Sequence, residues 1–430
     1  MTQNKESSRI FRRLPLVLAM MVISLVAGCN SPQKGDSIQI VASEQPVAQI
    51  LPDQQHISAL VAGNNEFALD LQRELFDPDQ NLIYSPWSIS QALAMTYAGA
   101  RNETEQEMAE VMHFTLPQGL LHPSFHAVEQ ALMERGDETD PGDFQLKMAN
   151  AIWAEQSCPI LDSYLGAITP YYRAAVQSVN FQQREETRRL INRWGSDQTE
   201  RRIAELIPPG VINGETGLVL TNAVYFRAAW KIPFRQHGRH QGQFQLLDGS
   251  KVTLPMMSQV AQLFYGEQNG LKIVELPYHG DRFSMVIMLP QSGRFETLLM
   301  QLDNTRLSAL LDDLKPTAVG LEMPPFNSSS DYLLRETLQG LGMIEAFRNA
   351  DFSGITGTRE LFVRDVCHSA FVSVDENGTE AAAATGVVIE RKGAPRPDVR
   401  VAIDRPFLYL IRDKETGSIL FLGHLVDPSM

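Results

Sequence analysis

The stretch LVLTNAVYF, residues 218–226, is an almost uninterrupted apolar run that ends on two aromatic side chains. It is too short for a typical helix, and it contains the β-branched and aromatic residues that strands favour. Because polar and apolar positions do not alternate along it, the run predicts a strand that is buried on both faces.

Outward from this strand, the two halves of the chain differ. Toward the N-terminus, apolar residues recur at helical spacing, and Ser88 is a candidate N-cap. Toward the C-terminus, short apolar runs follow one another. Helices first and strands later favour an α+β fold over a doubly wound sheet. The predicted helices are 66–76, 88–99, 103–114 and 184–199, and the further strands are 272–276, 283–289, 318–323, 407–411 and 419–425.

Composition narrows the class of protein. The 430 residues are 43% hydrophobic and 20% charged, which suits a soluble globular chain with a sizeable core. The formal net charge of −14 argues against nucleic acid or heparin-like partners, because these need a basic surface. No linker-like gap or repeat interrupts residues 59–428, so one domain is predicted there.

The first 28 residues are predicted to be a signal peptide. A basic segment precedes an apolar run at 14–27, which is too short for a comfortable transmembrane helix. The run ends in VAGC at 26–29, which is similar to a bacterial lipobox and predicts lipidation of Cys29. The alternative is a plain secretory signal with an incidental cysteine. Residues 29–58 are predicted to be a flexible tether, so the domain would be exported and anchored by lipid to the periplasmic or cell-surface side of a bacterial membrane.

The remaining cysteines and the hydrolase motifs offer little chemistry. Cys158 and Cys367 lie in separate apolar contexts without zinc-type spacing, which favours two buried free thiols. A hydrolase would need a nucleophile paired with a base, and neither G-x-S-x-G nor H-E-x-x-H occurs in the sequence.

Several segments, in order along the chain, resemble the serpin family over roughly residues 61–428. They correspond to the family's shutter, central sheet and breach, following strands, entry to the reactive loop, and C-terminal signature. The segments are NLIYSPWSIS at 81–90, LTNAVYF at 220–226 with Trp230 and Phe234 after it, ELPY at 275–278, MVIMLP at 285–290, HSAF at 368–371 and VAIDRPFLYLI at 401–411.

The resemblance implies a single domain with three β-sheets, about nine helices and an exposed reactive-centre loop at about 376–400. It also implies a monomer with no cofactor, no metal and no catalytic residue. The partner would be a serine protease, which forms an acyl-enzyme at a bait bond and is trapped when the cleaved loop inserts into the central sheet. The chain would thus act as a suicide substrate.

The alternation of residues in 376–392 fits insertion into a sheet, where successive side chains face opposite sides. The set that starts at Thr379 and includes Ala381, Ala383 and Thr385 carries no charge, whereas Glu380 and Glu390 both fall in the other set. A slip by one residue would bury two carboxylates. The alternative is an alanine-rich surface loop with a mobile helical turn.

Gly378 is a candidate hinge because glycine tolerates backbone angles that other residues avoid. The predicted hinge comprises Glu376, Gly378, Thr379, Glu380, Ala381, Ala382, Ala383, Ala384 and Thr385. The usual family spacing makes Lys392–Gly393 the bait bond, with Arg391–Lys392 as the alternative. Either bond offers a cation to an anionic specificity pocket, which predicts a trypsin-like protease. Alternatively, the two basic residues only keep the loop soluble.

Ser85, Ser88, Asn222 and His368 match the family's shutter, and Trp230 matches its breach. The shutter residues are predicted to form a hydrogen-bonded group under the central sheet that yields during insertion. Alternatively, His368 and Trp230 are ordinary core residues. A non-inhibitory serpin, such as a carrier, a folding aid or a protease substrate, is the alternative function. A charge or proline on the inward side of the hinge would favour it, and neither is present.

Overall fold

The computed structural model describes residues 39–41, 51–137, 144–172, 176–235, 239–379 and 396–430. Helices and strands alternate early, and strands dominate later. The helices are α1 (Gln54–Glu74), α2 (Pro86–Tyr97), α3 (Asn102–Val111), α4 (Gln118–Asp137), α5 (Asp162–Ile168), α6 (Arg184–Gln198), α7 (Phe295–Gln301), α8 (Asn304–Asp312), α9 (Arg335–Gly340) and α10 (Ser353–Thr356), with a 3₁₀ helix at Glu345–Phe347.

Sixteen strands complete the described ranges. They are β1 (Gln39–Val41), β2 (Leu82–Tyr84), β3 (Phe144–Glu155), β4 (Val176–Val179), β5 (Leu218–Ala229), β6 (His240–Gln245), β7 (Lys251–Gln268), β8 (Leu271–Pro277), β9 (Phe283–Leu289), β10 (Lys315–Met323), β11 (Phe326–Leu333), β12 (Val363–Val374), β13 (Gly378–Thr379), β14 (Val399–Ala402), β15 (Phe407–Asp413) and β16 (Ile419–Leu425).

A seven-stranded sheet has the order β1-β4-β3-β5-β13-β12-β11. The predicted strand at 218–226 is its central strand β5, which pairs antiparallel with β3 and parallel with β12. Leu220 and Val224 join the main core on one face, while Val219 packs on the other face in a cluster that includes Trp194 of α6. The expectation of a strand buried on both faces is confirmed.

The second sheet contains nine strands, with β14-β10-β7-β8-β9-β15-β16-β2 in sequence and β6 paired to β7. Strand β7 has 18 residues and pairs with β10 before it pairs with β8. This single long strand joins two ladders, so two of the three predicted sheets are continuous here. The α+β class is confirmed, as are the predicted helices and strands. Their ends shift by a few residues, except that α1 begins at Gln54 and not at residue 66.

Helix α2 lies between the sheets, in contact with β3, β5 and β16. All of its residues are buried. The residue that caps it is Ser85, whose hydroxyl accepts the Ser88 N–H at 3.3 Å, and Pro86 occupies the first helical position. The expectation that Ser88 is the N-cap is therefore wrong. Its side chain is free to turn toward the sheet.

The domain begins earlier than the sequence predicts. Helix α1 begins at Gln54, because the Asp53 carboxylate accepts the His56 N–H at 3.0 Å and the His56 ring accepts the Asp53 N–H at 3.3 Å. Strand β1, at 39–41, pairs with β4. Strand β1 and the first turn of α1 thus lie within the predicted tether of 29–58. The predicted signal peptide and Cys29 lie outside the described residues.

The expectation of two buried free thiols is met in part. Cys158 and Cys367 are free thiols, as predicted, but only Cys367 is fully buried. Cys158 is half-buried, next to the turn that follows β3. Within the described ranges, no helix is both long and apolar enough to cross a membrane.

Candidate functional site

The chain that leaves β12 toward the predicted reactive loop re-enters the seven-stranded sheet at one end of the central strands β5 and β12. Gly378 lies opposite Ala229 of β5, and Thr379 lies opposite both Ala228 of β5 and Val374 of β12. Farther along, β5 and β12 pair directly with each other, up to Tyr225 and Phe371. Strand β13 is therefore a short wedge between the two central strands, at the point where they separate.

Gly378 is required by the close approach of this wedge to β5. A Cβ at this position would lie 2.1 Å from the Ala228 carbonyl oxygen and 2.7 Å from the Ala229 Cα. Its φ is not in the positive range where glycine is favoured. Glycine is therefore needed at this position because it has no side chain, and not because of the unusual backbone angle that the sequence suggested.

Trp230 and Tyr278 hold the wedge from one side. Their rings are stacked, with centroids 4.6 Å apart and planes at 7°. The indole Nε1 donates to the Asp375 carbonyl at 2.9 Å, and the Trp230 backbone N–H donates to the Asn377 carbonyl at 2.8 Å. The Tyr278 and Thr379 hydroxyls lie 2.6 Å apart, and Thr379 is fully buried. The predicted breach residue Trp230 therefore contacts the hinge directly.

An ion pair holds the start of the hinge. Arg239 donates two hydrogen bonds to the Glu376 carboxylate, one of them from Nη2 at 2.7 Å. The hydrogen bond from Arg239 lowers the pKa of Glu376, against the opposing effect of burial. The Phe234 N–H also donates to the Glu376 carbonyl at 2.8 Å. Residues 375–379 are thus fixed by charge, by stacking and by backbone hydrogen bonds.

The predicted shutter residues converge below the wedge, on the buried face of the sheet. The Ser85 N–H donates to Nε2 of His368 at 3.1 Å, so the proton of the neutral ring is on Nδ1, which donates to the Asn222 carbonyl oxygen. Burial lowers the pKa of His368 to about 3. Because a backbone amide and not a hydroxyl occupies Nε2, this ring is not arranged as a base for a serine nucleophile.

The hydrogen-bonded group extends beyond the four predicted residues. The Asn222 amide donates to Ser88 Oγ and to the Asn150 side-chain oxygen. Asn150 Nδ2 donates to Gln91 at 3.1 Å, and Gln91 Nε2 donates to Glu129 at 3.2 Å. The chain of bonds connects β12, β5, α2, β3 and α4, so opening the sheet between β5 and β12 must break the Asn222–His368 bond.

Sequence reasoning missed several of these partners. Tyr278 lies within the quoted ELPY segment but has no local signal that it would meet Thr379. Arg239 pairs with Glu376 from 137 positions away, and Asn150 meets Asn222 from 72 positions away. Only the three-dimensional register of the sheet brings these side chains together.

The rest of the predicted hinge and bait lies outside the described residues, namely Glu380, Ala381, Ala382, Ala383, Ala384, Thr385, Arg391, Lys392 and Gly393. Among the residues that are described, no group of three or more His, Cys, Asp or Glu side chains is placed to hold a metal ion.

Comparison with known proteins identifies the family. The family described as "Serpin (serine protease inhibitor)" matches residues 62–428. An uncharacterized serpin-like protein of Thermococcus kodakarensis is 37% identical, over 85% of this chain and 84% of its own. Human leukocyte elastase inhibitor is 35% identical, over 86% of this chain and 99% of its own.

Solved structures agree with the fold. The native state of the thermophilic serpin tengpin superimposes with a TM-score of 0.80 at 27% identity, covering 91% of this chain and 99% of tengpin. Uncleaved ovalbumin gives a TM-score of 0.76 at 25% identity, covering 86% of this chain and all of ovalbumin. Members of the serpin family are protease inhibitors and not enzymes. This chain belongs to the serpin family.

Proposed function

We propose that this serpin inhibits a trypsin-like serine protease as a suicide substrate, with Lys392–Gly393 as the bait bond. The protease serine would attack the Lys392 carbonyl and form an acyl-enzyme, releasing the amine of Gly393. The freed loop would then enter the seven-stranded sheet and carry the protease with it. Deacylation would stall because the protease active site is distorted. All catalytic residues of this reaction would belong to the target protease.

The observation that carries this proposal is the position of β13 between β5 and β12. Its register fixes where each following residue would lie if the strand grew. In an antiparallel pair the two residue numbers add up to a constant. The constant is 607 for pairs with β5, such as Thr379 with Ala228, and 753 for pairs with β12, such as Thr379 with Val374. On this register Ala381 would lie between Phe226 and Val372, which are both fully buried.

The same register explains the polar residues of the loop. Thr385 would lie between Asn222 and His368, where its hydroxyl could replace the hydrogen bond that insertion breaks. Glu380 would lie on the other face, beside Arg227 and Ser373, which are both partly exposed. The uncharged set of loop residues would therefore face the core, and Glu380 would lie next to a cation near the surface.

A named relative supports inhibition but not the same target. Leukocyte elastase inhibitor is named for elastase, whereas the basic pair Arg391 and Lys392 suits an anionic specificity pocket. Specificity is set by the bait residue, so family members with one scaffold can differ in target.

The test is to mix the purified domain with trypsin and to run a denaturing gel. We expect a covalent complex and a released peptide that begins at Gly393, identified by mass spectrometry. The Lys392→Ala variant should lose the complex, and the matched Arg391→Ala variant should keep it. The reverse pattern would move the bait to Arg391–Lys392. Clean cleavage without a complex would instead favour a non-inhibitory, substrate-like serpin.

The location of the protein is a separate part of the proposal. A lipid on Cys29 would anchor the domain to a bacterial membrane, on its periplasmic or cell-surface side, and residues 30–38 would link the lipid to strand β1. The test is metabolic labelling with a fatty acid in a bacterial host. The wild-type chain should be labelled and partition with membranes, and Cys29→Ser should do neither. An unlabelled wild-type chain would indicate a plain secretory signal.

A further inference from the structure

A shallow depression of about 340 Å³ lies on the outer face of β7, β10 and β14. Three arginines line it: Arg235, Arg396 and Arg400. All three are exposed, and among the described residues no ion pair joins any of their guanidinium groups to a carboxylate. Three arginines in one depression, without an ion pair to any described carboxylate, are unexpected on a chain whose net charge is −14.

The missing side chain of Gly320 and one backbone hydrogen bond bring the three arginines to this depression. Gly320 of β10 lies between Val260 of β7 and Arg400 of β14 in the sheet. A Cβ on Gly320 would lie 3.2 Å from Pro397 and 3.7 Å from Cγ of Arg400, so the absence of a side chain lets both residues lie close to the strand. The Arg235 N–H donates to the Ser258 carbonyl at 3.2 Å, which brings the third arginine to the same face.

One acidic residue, Glu322, lines the depression, and its Oε2 lies 3.7 Å from Nε2 of His240. The Asp398 carboxylate, which follows the lining residue Pro397, accepts the Ala318 N–H at 3.4 Å. The three guanidinium groups outnumber these two carboxylates, so the local charge of the described residues is positive. Guanidinium groups recognise carboxylates with paired hydrogen bonds, which makes a carboxylate-rich surface the complementary partner.

Covalent geometry places this depression under any protease that reaches the bait. Arg396 is three residues beyond Gly393, so their Cα atoms are at most about 11 Å apart. A protease that docks on the bait covers about 800 Å², equivalent to a disc of about 16 Å radius. A footprint centred on the bait therefore reaches Arg396, which belongs to the lining of the depression.

We infer that Arg235, Arg396 and Arg400 form a docking site for acidic side chains on the surface of the target protease. This inference rests on the proposed function for the position of the bait bond. The arginines act before cleavage, by attracting and orienting the protease, and they take no part in trapping it. Charges at the rim of an interface act mainly on the association rate and its salt dependence.

The experiment compares two trypsins with the same specificity pocket, one with an anionic and one with a cationic surface. The triple variant Arg235→Gln, Arg396→Gln, Arg400→Gln should associate with the anionic trypsin about tenfold more slowly than wild type at low salt. The difference in association rate between the variant and wild type should shrink as the salt concentration rises to about 0.5 M, because screening then limits charge–charge interactions to a few ångströms. The fraction of trypsin trapped should not change.

The matched control removes three exposed arginines elsewhere: Arg193→Gln, Arg294→Gln, Arg348→Gln. It has the same net charge as the test variant and should stay within about twofold of wild type. Equal rate constants for the two triple variants would overturn the docking site. If wild type is cleaved without a complex, the proposed function fails, and kcat/KM for cleavage carries the same comparison.

A measurement without protease settles the case in which trypsin does not react. A fluorescent hexaglutamate peptide should bind wild type and the control variant with similar Kd values at low salt. The Kd of the test variant should be at least fivefold higher. Equal Kd values for all three proteins would overturn the inference.

Discussion

At the scale of single residues, the ion pair between Glu376 and Arg239 is the point where charge fixes the hinge. The Glu376 side chain is 9% exposed and that of Arg239 is 50% exposed. Because the pair is partly solvated, we expect Glu376→Gln to lower the free energy of unfolding by about 1 kcal/mol at pH 7. Thermal unfolding measures this loss, and Arg239→Gln should give a similar one, with no further loss in the double variant.

The pH dependence of this pair has a definite sign. Glu376 has a lowered pKa in the folded protein, so its contribution is complete above its unfolded pKa of about 4.5 and is lost as pH falls through the lower, folded value. The difference between wild type and Glu376→Gln should therefore vanish in acid. The exposed pair Lys147–Glu200 is the control, and Glu200→Gln should change the unfolding temperature little at any pH.

Gly378 provides a second test at this scale. A Cβ 2.1 Å from a backbone oxygen cannot be accommodated without moving β13 away from β5, so Gly378→Ala should expel the wedge. Trp230 would then lose its hydrogen bonds to 375 and 377, and its fluorescence should change. In Gly119→Ala the added Cβ meets no atom within 4 Å, so this control should leave the spectrum unchanged. Identical spectra for both variants would contradict the wedge.

At the scale of elements, the register of β13 predicts which side of the loop must stay uncharged. Ala381 would enter between the fully buried residues Phe226 and Val372, so Ala381→Glu would bury a carboxylate at a cost of several kcal/mol. Insertion should then be too slow to trap the protease. Ala382 would lie on the opposite face, between the buried Tyr225 and the half-buried Phe371, so Ala382→Glu is the control on the less deeply buried side.

The measurement is the number of inhibitor molecules consumed per protease trapped. It should rise severalfold for Ala381→Glu and stay near the wild-type value for Ala382→Glu. Equal values for the two variants would mean that the strand does not grow in this register.

The elements also show what the sequence could and could not predict. Helical periodicity located α6, and an almost uninterrupted apolar run with β-branched and aromatic residues located β5, because both patterns are local. The alternation in 376–392 is local too, so it indicated which loop residues share a face. The partners of the hinge were not predictable, since Arg239 and Tyr278 come from distant strands and loops. The cap at Ser85 was assigned to Ser88 because both serines precede the apolar stripe.

At the scale of the whole molecule, three buried histidines make stability depend on pH in a window where carboxylates do not titrate. Burial lowers the pKa of His122 and of His424 to about 4, and that of His368 to about 3. In the unfolded chain each titrates near pH 6.5. Between these values the unfolded state binds more protons than the folded state, so stability must fall as pH falls.

We therefore expect the urea midpoint to drop steadily as pH decreases from about 6.5 to about 5, since each histidine contributes at most about 1.4 kcal/mol per pH unit. Most carboxylates titrate lower, so this window isolates the histidines. His122→Gln should reduce the slope by about a third, whatever it does to stability at pH 7. A midpoint that stays constant from pH 7 to pH 5 would show that these rings are not neutral and buried in solution.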